Sequence, residues 1–362
     1  MRVRVLAGVV LLTTLTLTGG PAATASPAKP GHPAPTGLRS LADRADLRIG
    51  TAVDMAALAD DEAYRAAVGR EFSTVTAENV MKWEATEPQQ GVHDWAAADR
   101  LVDFARAHRQ KVRGHTLVWH NQNPAWVTEQ AFTPTQLREV LRRHIIDEVT
   151  HFRGKVWHWD VVNEIFNDDG TWRDSIWLRN LGPGYVADAF RWAHQADPQA
   201  KLFLNDYNNE GLSAKSDAYY ALVKQLKAQG VPVQGYGIQG HLAVQYGVPG
   251  DVLANLRRFE KLGLQTAFTE VDVRMPLPAD PIKVQAQAQG FTALLQACLL
   301  ADKCVSYTLW GFTDRYSWVP GVFAGEGSAT PYDENLNPKP AYAALRDTLA
   351  LAGAEQDQRP AS

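Results

Sequence analysis

The chain has 362 residues, with 45% hydrophobic and 21% charged side chains, 27 Gly, 20 Pro and 2 Cys, which excludes a disordered chain, collagen or a miniprotein built on disulfides. Lys and Arg number 36 against 40 Asp and Glu, for a net charge of −4, so no basic stripe is available for a phosphate backbone and nucleic acid is not an expected partner. The 11 Trp are an excess that calls for flat apolar faces meeting something amphipathic.

Residues 1–25 read as an export signal: Arg2 and Arg4 give a positive start, Val5 to Leu17 an apolar stretch, and Ala23-Thr24-Ala25 a small-residue cleavage site. The apolar stretch falls short of the roughly 20 residues that a bilayer span needs, which disfavours an uncleaved anchor. The protein is therefore expected to be secreted, extracellular and free of the membrane after signal cleavage. Residues 26–40, with Pro27, Pro30, Pro33 and Pro35 and no apolar periodicity, are expected to form a disordered leader. Residues 41–351 contain no linker or short repeat and are expected to be one catalytic domain, followed by a flexible tail over 352–362.

Within that domain, short apolar, β-branched runs predict strands at Arg48–Val53, Phe72–Ala77, Lys111–Leu117, Val156–Val162, Lys201–Asn205, Gly235–Gln239, Thr266–Val271 and Val305–Trp310. Amphipathic segments between them predict helices at Trp95–Arg109, Pro134–Phe152, Gly184–Ala196, Lys215–Gln229, Val252–Leu262 and Ile282–Leu300. Thr133 before Pro134 makes a credible helix start, and Gly230 a credible stop. Eight strands separated by helices imply the α/β class and close naturally as a (β/α)8 TIM barrel; a doubly wound open sheet is the alternative. Cys298 and Cys304 are candidates for a disulfide in an oxidising compartment, with two free thiols the alternative.

Catalytic groups in such barrels sit at the C-terminal ends of the strands, and the unusual polar residues fall there. They are Glu78, Asn79 and Lys82 after the second strand, His115, Trp119, His120 and Gln122 with the third, and Asn163 and Glu164 at the fourth. Tyr207 and Asn208 follow the fifth, Gln239 and His241 the sixth, Glu270 and Asp272 end the seventh, and Trp310 the eighth. Two carboxyls across a barrel mouth suit glycoside hydrolysis, which needs one acid and one nucleophile or base. Desolvation among aromatic and amide neighbours would make Glu164 the acid. His241, oriented by Asp272, would keep Glu270 ionised, provided the strand holds its period-two alternation to that point. Two glutamates in structural ion pairs remain the bland alternative. Trp119, Trp310 and Trp318 with Tyr207 and the amides Asn79, Gln122, Asn163, Asn208 and Gln239 suit a sugar's apolar faces and hydroxyls. Glu78 and Lys82 would add a charge pair, while Trp157, Trp159 and Trp192 suit a packed core.

Other chemistries find little footing. The histidines lack metal-ligand spacing and no Cys cluster accompanies them, so no metal and no cofactor is expected. No Gly-x-Ser-x-Gly occurs. Gly235-Tyr236-Gly237-Ile238-Gln239-Gly240 matches a dinucleotide fingerprint as a bare pattern but lies inside a strand instead of opening a helix.

Six motifs in order resemble the retaining endo-β-1,4-xylanases of glycoside hydrolase family 10. They are Ala77-Glu78-Asn79-Val80-Met81-Lys82-Trp83, Val112-Arg113-Gly114-His115-Thr116-Leu117-Val118-Trp119-His120, Trp159-Asp160-Val161-Val162-Asn163-Glu164, Leu204-Asn205-Asp206-Tyr207-Asn208, Thr269-Glu270-Val271-Asp272 and Leu309-Trp310-Gly311-Phe312. The resemblance implies Glu164 as acid/base and Glu270 as nucleophile, with Asn163 bonding the 2-hydroxyl of the sugar being cleaved and His241 contacting Glu270. It also implies Glu78, Asn79, Lys82, His115, Trp119, Gln122, Trp310 and Trp318 on the glycone side, and Tyr207 and Asn208 on the leaving-group side. The implied partner is a polysaccharide, xylan or a related plant glycan, handled by a monomer without cofactors. The stretch Asn167–Trp172 and the loop Arg315–Pro331 vary among relatives, which leaves β-glucan, cellobiosides or the sugar chain of a plant glycoalkaloid as alternative substrates. A silent carbohydrate-binding barrel is the alternative from another class.

Overall fold

The computed structural model describes residues 37–357; the expected signal, most of the Pro-rich leader and the end of the tail lie outside the described residues. The chain forms strands β1 (Arg48–Val53), β2 (Thr74–Ala77), β3 (Lys111–Val118), β4 (Val156–Asn163), β5 (Lys201–Asp206), β6 (Gly235–Ile238), β7 (His241–Ala243), β8 (Gln265–Pro276), β9 (Cys304–Leu309) and β10 (Glu326–Gly327). Neighbours pair in parallel in the order β1-β2-β3-β4-β5-β6-β8-β9, and β9 returns to β1, so the eight-stranded (β/α)8 barrel is closed. The strands are buried on both faces, as the unbroken burial of Ile49–Val53 and Leu202–Asp206 illustrates, because helices cover the outside and side chains fill the inside.

The six helices expected from periodicity are present, shifted at their ends by one to two residues. Thr133 caps the helix Pro134–His151 through a capping box with Gln136. Four differences have identifiable physical causes. Helices at Met55–Asp60 and Glu62–Glu71, absent from the expected set, are started by the carboxylates of Asp54 and Asp61, which accept from backbone N–H groups. The first helix, Leu38–Arg44, begins inside the segment assigned to the leader, since Leu38 is fully buried and its N–H donates to Glu71 Oε2 at 3.0 Å. The last helix, Pro340–Asp357, runs past Leu351; Gln356 Nε2 donates to the Ala45 carbonyl at 3.0 Å, tying this helix to the end of the first. Finally, β6 stops at Ile238, Gly240 turns the chain at φ +77°, and His241 opens the separate strand β7, paired with β8 in the register His241 to Asp272.

The glycine-rich stretch dismissed as a nucleotide loop has a packing role. A Cβ on Gly235 would lie 2.3 Å from the Phe203 ring, and one on Gly237 would lie 2.4 Å from Asn205 Oδ1. The glycines on β6 therefore clear space inside the barrel for the larger side chains of β5. Among the described residues, no helix is long and apolar enough to cross a membrane.

Cys298 and Cys304 form a disulfide that links the helix Pro281–Leu300 to the start of β9. The closed loop is short, so in the chain-entropy picture the bond contributes about 2–3 kcal/mol. Replacing both cysteines by Ala should lower the unfolding free energy in urea by about that amount. Equal midpoints and slopes for the two proteins would refute this.

Candidate active site

The C-terminal ends of the barrel strands open into a cleft of about 730 Å³. Its wall contains Glu78, Asn79, Lys82, His115, Trp119, Gln122, Asn163, Glu164, Tyr207, Asn208, Gln239, His241, Glu270, Trp310 and Trp318. Every candidate cleft residue of the sequence reading is thus gathered in one place. Asp272 is buried behind the wall, where it holds other side chains.

Two glutamates reach the cleft from β4 and β8, which β5 and β6 separate in the barrel. Glu270 lies within β8, with its side chain only 6% exposed. Its Oε1 accepts from Asn205 Nδ2 at 2.7 Å, and its Oε2 lies 3.3 Å from His241 Nε2. His115 Nδ1 is 3.9 Å from Oε1. Burial pushes the Glu270 carboxyl up, but the His115 and His241 imidazoles outweigh it and hold it below its ordinary range. His241 Nδ1 in turn sits 3.0 Å from Asp272 Oδ2, which also accepts from Trp318 Nε1 at 2.7 Å. Burial disfavours the imidazolium; Asp272 and Glu270 reverse this and raise His241 to about 10. Glu270 and Asp272 do share one side of the strand, so the alternation holds to its end.

Glu164 lies just past the end of β4 at φ +58°, a left-handed backbone that a Glu rarely adopts. Its Oε2 accepts from Trp119 Nε1 at 2.9 Å and its Oε1 from Gln239 Nε2 at 3.1 Å. The neighbours are thus an aromatic and an amide, as expected, and both donate to the carboxyl, Trp119 through its N–H edge. An amide relay joins the two glutamates: Asn205 Nδ2 donates to Glu270 and also to Asn163 Oδ1 at 2.9 Å, and Gln239 Nε2 lies 3.3 Å from the same oxygen. Thr269 Oγ1 fixes Asn205 by donating to its Oδ1 at 2.7 Å.

Beneath them, Asp160 accepts from Arg113 through both carboxylate oxygens and lies 3.0 Å from His115 Nδ1. The Arg113 guanidinium and the His115 imidazole hold Asp160 below the usual carboxylate range despite its burial. Lys82 donates to Asn79 Oδ1 at 2.9 Å, lies 5.0 Å from the Trp119 ring centre and is attracted by Glu78 without a direct hydrogen bond between them. Burial and the nearby Asp54 push Glu78 up to about 7. Gln122 donates to Glu84 Oε1 at 2.8 Å. On the other side, Asn208 donates to Asp168 Oδ2 at 3.0 Å, while the Tyr207 ring lies 3.8 Å from Lys215 Nζ.

The cleft also contains His120, which was placed at the end of the third strand but given no role, and Asn121, Arg173, Arg274, Val322 and Phe323, which the sequence reading did not assign to it. Arg274 continues the alternation of Glu270 and Asp272 on β8, a signal that could have found it. Arg173 and Phe323 come from irregular segments, where no periodicity points inward.

The family model described as Glycosyl hydrolase family 10 matches residues 37–348. An endo-1,4-beta-xylanase of Agaricus bisporus is 44% identical over 319 residues, covering 86% of this chain and 95% of that protein. Endo-1,4-beta-xylanase B of Thermotoga neapolitana is 42% identical over 315 residues, covering 86% and 91%. The crystal structure of xylanase 10B from Thermotoga petrophila RKU-1 in complex with xylobiose superposes with a TM-score of 0.87 at 43% identity, covering 89% of this chain and all of that one.

The shifted groups set a pH signature. The raised His241 stabilises the fold fully below its unfolded value of about 6.5 and loses that contribution as pH rises through about 10; the lowered Glu270 contributes above about 4.3 and loses it as pH falls. The gap in melting temperature between the protein and His241→Asn should therefore be widest near about pH 5–6 and shrink toward about pH 10. A gap independent of pH would show that the pair is not ionised as described.

Proposed function

The chain belongs to glycosyl hydrolase family 10, and from that membership we propose that it is an endo-1,4-β-xylanase that cuts internal bonds of xylan with retention of anomeric configuration. The observation that carries the assignment of roles is the asymmetry between the two cleft glutamates. Glu270 is nearly dry and flanked by two imidazoles that favour its ionised form, which suits a nucleophile at the anomeric carbon. Glu164 reaches the cleft wall with its carboxyl edge against Trp119 and Gln239, which suits proton transfer to and from an oxygen lying between the two carboxyls.

In the first step Glu164 protonates the glycosidic oxygen as Glu270 attacks, forming a glycosyl-enzyme and releasing the leaving chain. In the second, water enters on the leaving side, Glu164 takes its proton, and the oxygen displaces Glu270 from the anomeric carbon. Asn163, held by Asn205 and Gln239, bonds the 2-hydroxyl of the sugar in reaction. His241, kept protonated between Glu270 and Asp272, steadies the nucleophile. Glu78, Asn79, Lys82, His115, Trp119, Gln122, Trp310 and Trp318 bind the glycone, and Tyr207 and Asn208 the leaving chain. The chain is exported through its N-terminal signal, a reading that the disulfide supports because such bonds persist in oxidising compartments.

Glu270→Ala should abolish release of reducing ends from xylan while its far-UV circular dichroism stays that of the folded parent. Glu164→Ala should lose activity on xylan and keep far more of it on aryl xylobiosides with activated leaving groups. Proton NMR during hydrolysis should show the β-anomer first. Appearance of the α-anomer first, or faster release from cellulose than from xylan, would overturn the mechanism or the substrate, respectively.

A further inference from the structure

The left-handed backbone at Glu164 needs a holder, and the structure supplies one from outside the six sequence motifs. Arg173 Nε donates to the Glu164 carbonyl at 2.8 Å. The same guanidinium, through Nη2, donates to the Phe166 carbonyl at 3.3 Å and to the Tyr207 phenol oxygen at 2.6 Å. Its own backbone N–H donates to the Ile165 carbonyl at 2.8 Å. Three consecutive carbonyls after β4 therefore take a hydrogen bond from one residue. From the opposite side, the Glu164 N–H donates to the Asn205 carbonyl at 2.9 Å and the Ile165 N–H to Tyr219 Oη at 3.2 Å.

The anchor at Tyr207 is itself fixed. Lys215, fully buried, lies 3.8 Å from the Tyr207 ring centre, donates to its carbonyl at 2.9 Å, and pairs with Asp206 and Asp168 at 3.0 Å each. Arg173 also lines the cleft. A planar fork that reaches two carbonyls and a phenol at once is geometry that an ammonium cannot copy.

We propose that Arg173 is a positioning residue for Glu164: it locks the glutamate's backbone in the left-handed turn and ties that turn to Tyr207, so that the carboxyl stays on the glycosidic oxygen. The proposal rests on Glu164 being the acid/base. Without the fork, the Glu164 carbonyl loses its side-chain donor and the residue relaxes toward an ordinary backbone, carrying the carboxyl away from Trp119 and Gln239. The damage falls on the step that needs a proton delivered, and spares bonds that break without one.

The test is kcat/KM for two substrates, phenyl and 2,4-dinitrophenyl β-xylobioside, which share the glycone and differ in their need for acid help. Arg173→Met should lower the phenyl value by about ten- to a hundredfold and leave the dinitrophenyl value nearly unchanged. Arg173→Lys should recover only part of the loss. Tyr207→Phe, which removes one oxygen and little else, should show a smaller loss with the same selectivity, and it stands in for Arg173→Met if that protein fails to fold by circular dichroism. Equal losses on both substrates, no loss on either, or full recovery with Lys would overturn the proposal, the last by showing that charge alone suffices. Glu164→Ala is assayed in parallel. If it lacks selectivity for the phenyl substrate, the acid/base assignment fails and the positioning role with it; if it is selective and Arg173→Met is not, only the positioning role fails.

Discussion

Keeping Glu270 ionised while almost out of water is the constraint around which the cleft is organised. An unpaired carboxylate at that depth would take up a proton. The barrel answers with a file in which basic and acidic side chains alternate: Arg113 with Asp160, Asp160 with His115, His115 beside Glu270, Glu270 with His241, and His241 with Asp272. Arg113 and His115 come from β3, Asp160 from β4, Glu270 and Asp272 from β8 and His241 from the start of β7, so closure of the sheet and the turn at Gly240 together bring the charges into line.

The same closure explains where backbone distortion is tolerated. Gln122, Glu164 and Asn208 all have positive φ, near +50° to +58°, and all line the cleft. Each such residue costs about 1–3 kcal/mol and persists only where its surroundings over-determine it. At Glu164 the determining contacts are the Asn205 carbonyl behind it and the residues that grip the following carbonyls. The strand ends are thus rigid in their foundations and irregular at their tips, an arrangement that aims side chains into one volume without disturbing the sheet.

Much of this was legible in the sequence. Eight β-branched runs and the polar residue at the end of each specify both the barrel and the ring of side chains, because strand ends in a closed barrel have only one place to converge. The disulfide was legible from spacing and compartment. What escaped has physical reasons. The turn at Gly240 that frees β7 leaves no periodic trace, since three residues are too few to show alternation. The aromatic and amide neighbours of Glu164 were legible, but the hydrogen-bonded edge of Trp119 could not be told from its stacking face. The hydrogen bond from Lys82 to Asn79 was not legible, because nothing in linear spacing fixes which acceptor a flexible amine will choose. The helices Leu38–Arg44 and Pro340–Asp357 overran their expected limits because long-range packing, and not local pattern, holds their ends.

Those two helices meet: the hydrogen bond from Gln356 to the Ala45 carbonyl joins them three residues ahead of β1, on the face of the barrel opposite the strand ends. Both described ends of the chain therefore leave from the back of the molecule. A solid support coupled at Ala45 or Gln356 would stand behind the catalytic mouth. A protein anchored through that face would present its open cleft outward to an insoluble polymer and leave the approach of long glycan strands unobstructed.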